Sequence, residues 1–404
     1  MKCRYGVSPW IHQYPDSKRP NLPRLRGELT ADVVIVGGGL TGCATAHACA
    51  VAGLKTILVE AERIGQGSAG RSAGLLLPEP GPRFRDLAQA LGLSTARRVF
   101  EAWRRASLEA AATLRRLKIP CGLEPFETLV VADGDEKLLR REFDARNDAG
   151  LDVSWLSPKQ IRSATNLDAA AAIRMREAYG VDPYRACLGL AAAAMARKAS
   201  LHERSPVTKV RFTRKDVQVS TEAGAVRASH VVVTTGSATP EFRPLRRHFS
   251  RRETYLALTE QVPAALRRQL GSPGVTFHDT RTPRRRVRWT RDSRILIVGG
   301  DQSETSARAR DAVRVQRTGQ LMYELLTMYP AISGLQPEYG WELAYGDTAD
   351  GLMYIGPHRN YPHHLFALGG ATDSVTGAFL ASRIVTRAVH GASQKDDEAF
   401  GFLR

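Results

Sequence analysis

The chain has 404 residues, 43% of them hydrophobic, with a formal charge of +17. That is enough apolar material for a large core, and the length favours two or three domains over a small disulfide-stapled one. No apolar run approaches the roughly 20 residues of a membrane crossing, and Met1 to Tyr14 lacks the apolar stretch of a secretory signal, so no membrane span and a cytoplasmic location are expected.

In chain order, Ala31 to Val36 is a short β-branched apolar run and reads as a buried strand. Gly37 to Gly42 interrupts it, and the Ala-rich stretch Leu40 to Ala52 predicts a helix packed closely on a sheet, ended by Gly53. Thr56 to Val59 predicts a second buried strand, closed by Glu60; together these make one crossover unit. Helical spacing recurs over Arg97 to Leu117 and Leu138 to Asn147, and again from Tyr184 to Ala199 behind the start signal Asp182-Pro183. Strands are expected at Val207 to Phe212, Val217 to Thr221 and Val231 to Thr235, then at Thr254 to Thr259 and Arg294 to Val298, with a helix from Ala309 to Tyr329. There is no internal repeat and no low-complexity linker.

Gly37-Gly38-Gly39-Leu40-Thr41-Gly42 is the strongest motif. Gly37 permits a tight turn, Gly39 a close approach of backbone to a pyrophosphate, and Gly42 close packing of helix on strand. The following helix presents its free N–H groups to phosphate. Glu60, at the tip of the second strand, is placed to accept hydrogen bonds from an adenosine ribose. Three later segments separate FAD from NAD. The first, Ala61 to Leu75, is dense in small residues that let backbone pass close to a flat ligand. The second, Ser229 to Gly236, is a buried strand ending in Thr-Gly. The third, Asp350 to Pro357, precedes a strand at Leu365 to Leu368, after which Gly369-Gly370 opens a helix through Thr376 to Val389. A second positive helix end near the ligand favours flavin reduction.

These segments, in this order, resemble the D-amino-acid oxidase/glycine oxidase family of FAD-dependent oxidoreductases, from about Asp32 to Gly391. The resemblance implies an α/β fold in which a Rossmann-like FAD-binding domain is interleaved with a substrate domain built on an antiparallel β-sheet. It divides the chain into a FAD-binding domain of 28–80, 158–240 and 335–395, a substrate domain of 81–157 and 241–334, and an N-terminal extension of 1–27. It also implies FAD contacts from Gly37, Gly39, Leu40, Thr41, Gly42, Glu60, Ala61 and Arg63. The loop Gly67, Ser68, Arg71, Ser72, Ala73, Gly74 and Leu75 would lie along the isoalloxazine. The backbone at Val207 would meet the adenine, and Thr235, Gly236, Gly356, Gly370, Asp373, Val375 and Thr376 would complete the site. Trp289 to Gly300 resembles the strand that returns from the substrate domain towards the flavin domain.

Two departures matter. Amino-acid oxidising relatives carry an arginine for the substrate carboxylate near the last flavin-binding helix, or a Gly-His-Gly; here the turn reads Thr372-Asp373-Ser374. Asp373 either pairs with a substrate ammonium, which would favour amines over α-amino acids, or caps the helix that follows. No cysteine lies beyond Cys187, which excludes a cysteinyl flavin linkage in the C-terminal region. Arg286 and Arg288 are candidates to reach a substrate anion, or else belong to a solvated strand face; Tyr255, Trp289 and Trp341 either wall a pocket or pack in the core.

The expected activity is oxidation of a C–N bond in an amine or amino acid, with hydride passing to flavin N5 and the imine then hydrolysing. Oxygen, a quinone or a carrier protein would take the electrons. Oxidation of a 2-hydroxyacid or similar C–O substrate, and a catalytically weak FAD-binding subunit or RNA-associated flavoprotein, are the rival readings. Cys3, Cys43, Cys49, Cys121 and Cys187 form no CxxC, so no metal site is expected. The positive charge is mostly dispersed arginine without interleaved aromatics, so no specific nucleic-acid partner is expected either.

Overall fold

The computed structural model describes residues 2–281, 284–370 and 374–404, whose strands form two sheets. The eight-stranded sheet is built around Gly27–Val36. That strand runs parallel to Gly224–Gly236 on one side and to Thr56–Val59 on the other. Tyr361–Leu368 and Ser200–His202 extend the parallel set outward. Val33, Val34 and Ile35 are fully shielded, as are Val231, Val232 and Val233. Burial on both faces is why these strands read as unbroken apolar runs and not as alternating ones.

Leu40–Val51, Pro183–Ala196 and Ser374–Val389 cover one face, with Leu93–Arg116 packed against the last of them. Small side chains let the helices sit close: Ala44, Ala46, Ala186, Ala191 and Ala378 are all buried in this core. Cys43 and Cys187, far apart in sequence, meet here with their sulfurs 3.6 Å apart, both beside the Gly38 carbonyl and both free thiols.

The second sheet has ten strands, and Pro337–Asp347, Ser250–Thr259 and Ile295–Ser303 are neighbours within it. It is antiparallel apart from two pairings, Arg4–Tyr5 with Pro337–Asp347 and Glu124–Val131 with Val275–Asp279. Helix Arg310–Met328 packs on it.

Most expected elements lie where the sequence puts them, and Thr56–Val59 is residue for residue the same. The start signal at Asp182 is real, since its side chain accepts the Arg185 N–H. The strand expected over Trp289 to Gly300 is instead a hairpin. Arg286–Trp289 pairs with Ile295–Ser303, and the polar turn between them closes through the Thr290 N–H to the Arg294 carbonyl at 2.9 Å, with Ser293 left-handed at φ 61°. The interleaving is also finer than the sequence boundaries. Leu75–Leu76, Ala172–Gly180 and Pro337–Asp347, all assigned to the FAD-binding segments, are strands of the ten-stranded sheet. Ser8 to His12 lie against the small-residue loop: Ser8 donates to the Gly70 carbonyl, and Trp10 Nε1 donates to the Ser72 carbonyl at 3.0 Å.

A buried charge network holds the segment that leads from Leu76 to helix Phe84–Leu91. Arg146 Nη1 is 2.6 Å from Glu79 and its Nε 2.7 Å from Glu142. His278 Nε2 is 3.2 Å from the other Glu79 oxygen. Glu142 also accepts the Phe84 and Arg85 N–H groups at 2.8 and 3.1 Å, so it caps that helix. Burial alone would raise the Glu79 carboxyl, but Arg146 and His278 hold it down to about 2, against an ordinary 4.5. The folded value lies below the unfolded one, so the stabilisation is present above pH 4.5 and is lost as pH falls towards 2. Glu79→Ala should cost about 3 kcal/mol at neutral pH, the low end for breaking a buried pair, because Glu142 still faces Arg146. Chemical denaturation should show that gap between wild type and variant closing as the pH drops through this window.

Candidate active site

At the C-terminal ends of the parallel strands the chain turns away at Val36–Gly37, Val59–Glu60, Thr234–Gly236 and Gly369–Gly370. These turns enclose a cleft of about 500 Å³. Open α/β sheets gather their ligands at this edge. The Gly37 turn is tight for a reason that its neighbours make plain. Gly37 sits at φ 110°, and a Cβ on it would stand 2.8 Å from the Thr234 carbonyl oxygen. A Cβ on Gly42 would overlap the Gly37 carbonyl oxygen. Thr234 Oγ1 lies 3.0 Å from the Val36 carbonyl and 2.9 Å from that of Gly37, and bridges two strand ends. Gly39 stands just before helix Leu40–Val51, and a Cβ there would meet nothing within 4 Å. The first-turn amides of that helix, which have no partner within it, sit at the cleft.

Glu60 is fixed by backbone. Its Oε2 accepts the Gly38 N–H at 2.5 Å and its Oε1 the Glu62 N–H at 2.9 Å. Ser205 ties the next wall to it by donating its N–H to the Glu60 carbonyl at 2.8 Å, and Pro206 and Val207 continue that wall.

Twelve of the residues singled out from sequence therefore line one cleft: Gly37, Gly39, Leu40 and Thr41; Glu60, Ala61, Gly67 and Ser68; and Val207, Thr235, Gly236 and Gly370. Others do not. Arg63 is exposed and off the lining. Ser72, Ala73, Gly74 and Leu75 are buried behind the lining, and Arg71 is half-buried, 3.5 Å from Glu342. Gly356 lies in the edge strand Tyr354–His358. Val375 and Thr376 are buried, and Thr376 donates its hydroxyl to the Leu77 carbonyl at 3.0 Å. Asp373, with the ammonium contact expected of it, lies outside the described residues.

A second cavity of about 630 Å³ adjoins the cleft, and Gly81, Tyr345 and Gly351 line both. Its other wall belongs to the ten-stranded sheet and includes Thr254, Arg286, Asp301 and Asp347. Arg286 is thus on the lining of this cavity. Arg288 is not. It is buried, donates to the Gly74 carbonyl at 2.7 Å and lies over the Trp10 ring at 5.6 Å, and burial brings its guanidinium down to about 10. Of the two readings open for the aromatic residues, core packing holds. Tyr255 hydrogen-bonds Glu253 at 3.0 Å, Trp341 donates to the Arg71 carbonyl at 2.8 Å, and Trp289 packs against a second core cluster.

Tyr345, Thr254, Asp301 and Asp347 were not legible beforehand. Neighbouring strands bring them together: Tyr345 stands opposite Arg252, two residues from Thr254. Burial pushes the Tyr345 hydroxyl well up, and Asp301 and Asp347 push it further, so it stays protonated at neutral pH.

The comparisons with known proteins agree with this geometry. The model of the DAO family, described as FAD dependent oxidoreductase, matches residues 32–388. γ-Glutamylputrescine oxidoreductase of Escherichia coli is 26% identical over 92% of this chain and 87% of its own length. Glycine oxidase of Bacillus subtilis is 24% identical over 89% and 94%. The crystal structure of glycine oxidase from Geobacillus kaustophilus superposes with a TM-score of 0.75, at 20% identity, over 93% of this chain and 99% of that one. With the family model matching residues 32–388, most of its length, the chain belongs to the DAO family of FAD-dependent oxidoreductases, an enzyme family whose cofactor is FAD.

Proposed function

We propose that the glycine-lined cleft holds FAD and that the adjoining cavity receives an amine or amino acid whose C–N bond the enzyme oxidises. The observation that carries the reading is the shared wall at Gly81, Tyr345 and Gly351, where a cofactor-sized cleft adjoins a separate cavity lined in part by the other sheet. The residues present fit the cofactor. A Cβ on Gly39, Gly67 or Gly236 would meet no protein atom within 4 Å, so these glycines leave the cleft clear where a flat ligand needs it. Gly37 to Thr41 would hold the pyrophosphate, Glu60 the ribose and Val207 the adenine edge; Gly370 would approach the ring system. The eight-stranded sheet and its helices make the FAD-binding domain in this reading, and the ten-stranded sheet makes the substrate domain.

Bound FAD supplies a two-electron acceptor for the hydride on the carbon beside nitrogen. The chain's own part is placement. The cavity strips water from the substrate nitrogen, which must be neutral to release hydride, and burial lowers the pKa of an amine. Tyr345, held protonated, offers a hydrogen-bond donor at the junction of the two spaces. The named activities of the relatives that match most of the chain support C–N over C–O chemistry. The other GxGxxG match, Gly65 to Gly70, follows no strand directly and runs only into the short turn Ala69–Arg71, so it builds no second dinucleotide unit, and oxygen, a quinone or a carrier protein takes the electrons.

Purified protein should be yellow and release FAD, identified by chromatography; protein that stays colourless with added FAD would end this reading. Glu60→Ala should weaken FAD retention by about 1.5–3 kcal/mol in equilibrium titrations, the cost of losing a charge-assisted hydrogen bond. Gly42→Val should yield protein with little or no flavin, because the added side chain has no space beside the Gly37 carbonyl. An anaerobic panel of amines, amino acids and 2-hydroxyacids, read by flavin bleaching, should show reduction by a nitrogen compound. Bleaching by hydroxyacids alone would transfer the assignment to C–O oxidation.

A further inference from the structure

We propose that Asp301 is the seat for the substrate's ammonium group, so that the cavity beside the cleft takes a cationic alkylamine; this rests on reading that cavity as the substrate site. The cavity's carboxylates differ in what answers them. Asp350 is paired with Arg404 at 2.6 Å, and Asp86 with Arg83 at 2.8 Å. Asp347 faces Arg252 at 3.9 Å. Asp301 stands apart: its Oδ1 is shielded from solvent and has no hydrogen-bond partner among the described residues. A buried carboxylate oxygen without a donor is costly, and the cost is relieved by whatever brings a donor to it.

The position is right for a reacting amine. Asp301, Thr254 and Tyr345 sit on three neighbouring strands and all line this cavity, and Tyr345 also lines the cofactor cleft. Burial pushes the Asp301 carboxyl above its ordinary range; a Thr254 hydrogen bond and the charges of Arg286 and Arg252 pull it down, and Asp347 pushes it up. A carboxylate in this state both attracts an ammonium and is a fit acceptor for the proton that the nitrogen must lose. An ammonium carries three donors on a compact charge, which suits a single cavity-lining carboxylate better than a planar cation does.

The test uses the FAD-loaded enzyme, anaerobic and at neutral pH, with pentylamine, pentan-1-ol and pentanoate as probes of matched length. Binding is read from the visible spectrum of the flavin, or, where pentylamine bleaches it, from the concentration dependence of the bleaching rate. Wild type should bind pentylamine at least about tenfold more tightly than pentan-1-ol, as a desolvated charge pair requires. Asp301→Asn should erase that preference and tighten pentanoate, because Arg252 and Arg286 remain nearby. Asp301→Glu should keep the preference for pentylamine. Equal binding of amine and alcohol by wild type, or an unchanged amine constant in Asp301→Asn, overturns the proposal, as does loss of amine binding in Asp301→Glu to the same extent as in Asp301→Asn. Tight, Asp301-dependent amine binding with no bleaching by any nitrogen compound would leave the seat in place and remove the C–N oxidation reading instead.

Discussion

The turn from Gly27–Val36 into helix Leu40–Val51 has no room for a side chain at Gly37 or Gly42, and the rest of the molecule is arranged around that closeness. Because the helix meets the strand end at backbone distance, its first-turn amides stand at the mouth of the sheet with no partners of their own. Thr234 and Glu60, at the ends of the flanking strands, then bind the same turn through their side chains. A single steric requirement thus positions a positive helix end, a fixed carboxylate and two further strand ends around one cleft.

The second constraint is how the two sheets share a border. The segment after the dinucleotide unit leaves one sheet, pairs as Leu75–Leu76 with Ala172–Gly180 in the other, and then descends to Glu79 and Gly81. Glu79 is anchored in a buried network with Arg146 and His278, while Gly81 lines both the cleft and the adjoining cavity. Rigidity at Glu79 is therefore rigidity of the wall between the two spaces. Arg288 serves the same segment from the other side, through the Gly74 carbonyl.

The arginine excess takes on a different meaning in three dimensions. Arg146, Arg294, Arg314, Arg387 and Arg404 all face carboxylates at contact distance, several of them well buried. Such pairs fix segments relative to one another. Among the described residues, no helix is long and apolar enough to cross a membrane.

By itself, the sequence determined the dinucleotide unit, the order of its strands and helices, the cofactor and twelve of the residues that line the cleft. Those features are local: a β-branched run, a glycine turn and an Ala-rich helix state their conformation within a few residues of chain. It could not determine which polar residues face the substrate. Arg286 and Arg288 are two residues apart on one strand, yet one lines the cavity and the other is buried against Gly74, a difference that the alternation of the strand does not state. Tyr255, Trp289 and Trp341 carry the chemistry of a pocket wall but pack in the core. Tyr345, Thr254 and Asp301, unremarked in one dimension, meet only because three strands distant in sequence lie side by side. The glycine-lined cleft is written in short-range backbone geometry; the adjoining cavity is written in long-range strand pairing, which only the folded chain decides.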